Sequence, residues 1–153
     1  MHILVQNLFE QEAYELAVER LNQLTASTER IWGKMNVSQM LAHCKEAFKV
    51  PLSEKPLPKL FPISLIGPLF KKKLYDDTAW KQGLPTAPSF IIKDERDFEK
   101  EKKELLELVN RFYTAGPSGA GLYPHPVFGK FTPEQWGKAM WKHLDHHLRQ
   151  FGV

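Results

Sequence analysis

The sequence predicts an all-α protein, a four-helix bundle with a long proline-rich excursion between the second and third helices. Three observations lead there. Four segments repeat apolar residues at helical spacing, three of them carry clear end signals, and no stretch alternates strongly enough to build a sheet. The 153 residues suit one domain with a proper core, so the whole chain, 1–153, is read as a single helical-bundle domain.

The first helix is expected from about Leu8 to Thr25, where Leu8, Ala13, Leu16, Ala17, Leu21 and Leu24 make one apolar stripe. The second starts after Asn36, an N-cap residue with Gln39 three positions on, the two ends of a capping box. Val37, Met40, Leu41, Cys44, Ala47 and Phe48 are its stripe, and Pro51 stops it. Between about Pro51 and Lys93 lie seven prolines, with one short helical piece expected over Ser64–Tyr75 and broken near Gly67-Pro68. A connection of that length covers something or lines a pocket. The third helix runs from an N-cap at Asp94 to Thr114, stopped by Gly116-Pro117. The fourth opens on Thr132-Pro133-Glu134-Gln135, which supplies an N-cap, a proline at the first helical position and a second capping box.

Composition narrows the function classes. The net charge of +3 is too small to argue for nucleic acid without a clustered patch. One cysteine, Cys44, forbids an intramolecular disulfide and a Cys-rich zinc knuckle, which points to a reducing compartment. The N-terminus has no secretory pattern, and no apolar run reaches the roughly 20 residues that span a bilayer. A cytoplasmic protein is expected. Lys71-Lys72-Lys73 follows an apolar stretch, but Pro62 and Pro68 interrupt any long amphipathic helix, so the run reads as a solvated charge cluster.

The chemistry-bearing residues are histidines. His143 and His147 are four apart on the last helix, about 40° apart around its axis and about 6 Å along it. Trp136, Met140, His143, Leu144, His147, Leu148 and Phe151 share one face, so both imidazoles point into the core. Two buried imidazoles without partners leave donors and acceptors unsatisfied, and a metal ion resolves that. His43 borders the apolar face of the second helix. Alone it reads as a core histidine, but facing the other two it becomes a third ligand, as metal sites between facing helices require. His146 lies toward the rim and suits a favourable interaction with the helix C-terminus. His125, in the loop before the last helix, either lines the mouth of the site or packs on Trp136. A carboxylate should orient at least one ligand, although neither Glu46 nor Asp145 is obviously placed for it. Cys44, about 100° round from His43, reads as a small core residue, and the four tryptophans as packing residues.

Trp32-Gly33-Lys34-Met35-Asn36-Val37-Ser38-Gln39-Met40-Leu41-Ala42-His43 resembles the start of the second helix in the DinB-like metalloenzymes. His125-Pro126-Val127-Phe128-Gly129, followed by Trp136 and by His143-Leu144-Asp145-His146-His147-Leu148-Arg149-Gln150-Phe151, resembles the end of a small branch of that superfamily without an assigned function. The resemblance covers most of the chain, although the excursion has no counterpart residue by residue. It implies a four-helix bundle with a three-histidine metal site on His43, His143 and His147. It also implies a metal-dependent enzyme, since the superfamily includes thiol-dependent S-transferases and an isomerase that uses a small thiol.

Three nitrogens leave coordination positions open, which is the catalytic arrangement. Imidazole suits Zn, Ni or Fe alike, so the divalent ion's identity stays open. The competing readings are a non-catalytic metal- or ligand-binding helical module, a hydrolase that activates water, and an interaction protein whose histidines only fill the core. The expected partner is a small-molecule substrate, with a low-molecular-weight thiol as the candidate; no nucleic acid and no membrane are expected, and a homodimer is compatible with the reading.

Overall fold

The computed structural model describes residues 1–153. The chain is all-α, with five α-helices, three short 3₁₀ turns and two isolated bridges in place of any strand. α1 spans Gln11–Gln23 and buries Ala13, Ala17 and Leu21. It is shorter than its stripe suggested: Leu8 and Leu24 are both buried but lie outside the helix. Leu16 is 36% exposed, because it sits about 60° from Ala13 on the side away from Ala17 and Leu21.

α2, Val37–Lys49, begins with the expected capping box. Asn36 Oδ1 accepts from the Gln39 amide (2.9 Å), and Gln39 Oε1 accepts from the Asn36 amide (3.0 Å). In the excursion the helical piece breaks into a 3₁₀ turn at Ile63–Leu65, α3 at Gly67–Phe70 and a second 3₁₀ turn at Lys71–Leu74. Gly67-Pro68 therefore starts a helix where a break was expected. A proline in the first turn lacks only a donor that would have had no helical partner. Gly67 is required there, since a Cβ would meet the Val127 carbonyl oxygen at 2.1 Å. A third 3₁₀ turn covers Pro88–Phe90.

α4 spans Phe98–Gly119, and its cap is Asp97, which accepts from the Lys100 amide at 2.7 Å. Asp94, the expected cap, instead pairs with Arg96 at 2.9 Å. Gly116 takes the left-handed φ of 70° expected of a stop, yet the chain adds one further turn after it. α5, Pro133–Gln150, carries the second capping box on Thr132 and Gln135.

α4 packs against α1, α2 and α5, and α5 also packs against α1 and α2. Phe112 of α4 is fully buried, stacked on Phe9 (centroids 4.4 Å apart) and edge-on to Phe48 of α2 (5.7 Å). Buried charges tie the helices together. Lys45 of α2 pairs with Glu101 (2.6 Å) and Glu104 of α4, and Arg20 of α1 pairs with Asp145 of α5 (2.8 Å). Lys142, 1% exposed, reaches from α5 into the excursion and donates to Lys73 O, Asp76 O and Asp76 Oδ1 at 2.7–2.8 Å. That grip brings the excursion across the face of α5 that carries His143. No helix is long and apolar enough to cross a membrane.

Candidate metal centre

α2 delivers His43, and α5 delivers His143 and His147 one turn apart. One ligand nitrogen from each lies within 4.8 Å of the other two. His43 Nε2 and His143 Nε2 are 3.1 Å apart. Two imidazole nitrogens about 2.0–2.1 Å from a shared ion, at an angle between right and tetrahedral, stand about 2.9–3.4 Å apart. The His43–His143 spacing fits that range, while the trio as a whole spans up to 4.8 Å, so the rings would draw together slightly around an ion.

Hydrogen bonds fix two of the three rings. His43 Nδ1 lies 2.8 Å from the Phe90 carbonyl oxygen, which can only accept, so the proton is on Nδ1 and the Nε2 lone pair faces inward. His147 Nδ1 likewise donates to Gln150 Oε1 at 2.8 Å. The Gln150 amide is itself oriented, because its Nε2 donates to the Trp32 carbonyl oxygen at 2.8 Å. His143 has no such partner, and its buried Nδ1 is left unpaired. The partners that orient the rings are a main-chain carbonyl and an amide where a carboxylate was expected. Asp145 is occupied by Arg20 and Arg149, and Glu46 by Lys49. Gln150, three residues after His147, was visible in the sequence as a neighbour on that face. The Phe90 carbonyl, reached through 47 residues of chain, gave no signal.

Burial keeps all three rings neutral, the form that binds metal. Desolvation lowers the pKa of His43, against a raising effect from the Phe90 bond and from Glu46. It pushes His143 well below the ordinary range, helped by the neighbouring histidines, and brings His147 to about 3. His43 and His147 are 4% and 8% exposed, and His143 is half-buried. Trp80 stands edge-on to His143, with ring centroids 5.9 Å apart.

Of the other histidines, His146 borders the trio, with its ring centroid 5.1 Å from that of His147. His146 is buried, away from any rim, between Trp32 and Trp80 at 5.9 and 5.4 Å, with Nδ1 unpaired. His125 packs on Trp136, and its Nδ1 accepts from the Val127 and Phe128 amides (3.0 and 3.3 Å), which makes it a turn-forming residue. Cys44 is fully buried with its thiol against the Met40 sulfur, and burial raises its pKa. Clefts of about 420 and 400 Å³ lie elsewhere, around Lys102 and Leu106 on the outer face of α4 and around Leu52 and Leu122 beyond α2.

A family model described as "Protein of unknown function (DUF1569)" matches residues 6–152. The chain belongs to this family. No curated protein and no solved structure matches it. The stretch shared with the DUF1569 family includes all three histidines, the Phe90 segment and Gln150.

The buried histidines make the metal-free DUF1569 chain acid-sensitive. In the unfolded chain each titrates near 6.5, whereas burial holds His125 and His146 at about 4 and His147 at about 3 in the fold. Below pH 6.5 the unfolded state therefore binds more protons, and stability falls with pH from there down to about 4. His125 alone accounts for something on the order of 3 kcal/mol across that window. The urea midpoint of metal-free protein should drop clearly between about pH 7 and about pH 5. An unchanged midpoint would contradict burial of neutral imidazoles.

Proposed function

We propose that this chain is a metal-dependent enzyme, a four-helix bundle of the DinB-like kind that holds one divalent ion, Zn, Ni or Fe, on His43, His143 and His147. The observation that carries the reading is the convergence of three neutral imidazoles, two of them locked with the Nε2 lone pair inward. The cluster holds three ligands, and a closed structural site takes four, which favours catalysis. When bound, such an ion polarises an oxygen or sulfur ligand and lowers its pKa. Around it the chain orients the rings through Phe90 and Gln150, while Trp80 covers His143 and limits the approach of water. Soft sulfur competes well for a borderline ion, so a low-molecular-weight thiol is the proposed cosubstrate and S-transfer to an electrophile the proposed reaction. The proposed setting is a reducing cytoplasm, in keeping with one buried free cysteine.

A non-catalytic metal-binding module is the second reading, favoured by the near-complete burial of His43 and His147. Cobalt-substituted protein separates the two. Under the enzyme reading, a panel of small thiols produces sulfur-to-metal charge-transfer bands that vanish in His147→Ala, and the protein transfers the thiol to a chloronitroaromatic or an epoxide. If no thiol perturbs the cobalt spectrum and a fourth protein ligand completes the coordination, the site is structural. An open ion indifferent to thiols would favour hydrolysis instead.

A further inference from the structure

Half of the chain's exposed large apolar side chains fall within eleven consecutive residues, Leu60 to Phe70. Phe61 is 78% exposed, Leu65 69% and Leu69 81%. The segment is held from behind by contacts that do not use these side chains. Leu60 N–H donates to the Pro126 carbonyl oxygen (3.0 Å), Gly67 lies on Val127, and Lys71 Nζ donates to the Lys130 carbonyl oxygen (2.6 Å). At its far end the Lys73 carbonyl oxygen accepts from both Lys142 Nζ (2.8 Å) and Trp80 Nε1 (2.7 Å). The fold thus fixes the segment in place while leaving its apolar groups in water. A contiguous exposed patch of this kind marks an interaction surface.

The charges around it select the partner. Lys59, Lys72, Lys73 and Lys130 flank the apolar run and are exposed, and no acidic residue occurs from Lys55 to Tyr75. The carboxylates that bound this stretch are Glu54, exposed before Lys55, and Asp76, which is taken up by Lys142. A two-fold contact between copies would set this lysine-rimmed patch against itself, like charge on like. An anionic, amphipathic surface meets both its features. The prolines that rule out a long amphipathic helix do not rule out insertion at an interface, because the turns satisfy much of their own backbone. Ser64, Leu65, Ile66 and Leu69 amides all donate to carbonyls within the segment at 2.8–3.2 Å.

We propose that residues 59–73 form a docking element for the headgroup region of an anionic lipid bilayer, with Phe61, Leu65 and Leu69 entering the interface and the lysines meeting the headgroups. Docking there is peripheral and does not depend on the metal site. It replaces the expectation of a merely solvated charge run, since the apolar neighbours of that run are exposed with it.

The test is co-sedimentation of the full chain with phosphatidylcholine vesicles, with and without about one-third phosphatidylserine. Wild type is expected to bind the anionic vesicles far better than the neutral ones, and to be released by salt. The double variant Lys59→Gln/Lys72→Gln should bind roughly thirty-fold more weakly, at about fivefold for each lysine lost. Leu65→Ser/Leu69→Ser should lose binding while keeping the wild-type thermal melt, because both side chains are already in water. Failure of wild type to sediment with anionic vesicles overturns the proposal, as does wild-type binding by both variants. Sedimentation velocity supplies the rival outcome: a dimer that Leu65→Ser/Leu69→Ser splits, in a protein that ignores vesicles, assigns the face to a second copy of the chain.

Discussion

His43→Ala should abolish the proposed metal binding, although the residue lies 100 positions away from His143. Losing even an orienting partner outside the ligand set typically weakens a metal site by about 10–100-fold. Losing a ligand from a set of three should exceed that, and should leave only two imidazoles one helical turn apart. His143→Ala and His147→Ala should behave alike. His146→Ala and His2→Ala should retain the metal, since neither belongs to the converging set. Metal analysis of protein purified without a histidine tag gives the answer. Full occupancy in His43→Ala would remove α2 from the site and reduce the centre to a two-histidine motif on α5.

Phe112→Ala should cost the fold on the order of 3–5 kcal/mol of stability. The ring is fully buried, stacked on Phe9 and edge-on to Phe48, so its removal opens a cavity where α4, α2 and the N-terminal segment meet. Against a total of roughly 5–15 kcal/mol, that is a large share. For a chain of this size the thermal midpoint should fall by something on the order of 10 °C. A loss below about 1 kcal/mol by denaturant titration would mean that the surroundings collapse to refill the space.

Where structure follows from local chemistry, it was legible. The two capping boxes are each complete within four residues, and they form as the Asn36/Gln39 and Thr132/Gln135 spacings dictate. The facing of His43, His143 and His147 also follows from helical periodicity, because each borders or joins an apolar stripe. Features decided by tertiary contact were not legible. The cap expected at Asp94 falls instead to Asp97, and Asp94 pairs with Arg96. Lys142 looks like a surface lysine until the excursion arrives with three oxygens to receive it. His146 is buried by Trp32 and Trp80, two residues supplied from distant loops. The length of the excursion implies that it covers something or lines a pocket, but neither its grip on Lys142 nor its reach to His43 can be read from its prolines.

The two locked rings of the centre are secured in ways that differ in their tolerance of mutation. His43 leans on the main chain at position 90, so any residue that preserves the local turn there leaves its acceptor intact. His147 leans on a side chain, and one codon change at Gln150 deletes both its acceptor and the tether to Trp32. The same function is therefore anonymous in the gene at one ring and spelled out at the other. A change of residue at position 90 can therefore keep the His43 acceptor while altering only the ring that stands edge-on to it (6.2 Å), whereas the last turn of α5 has little room to drift.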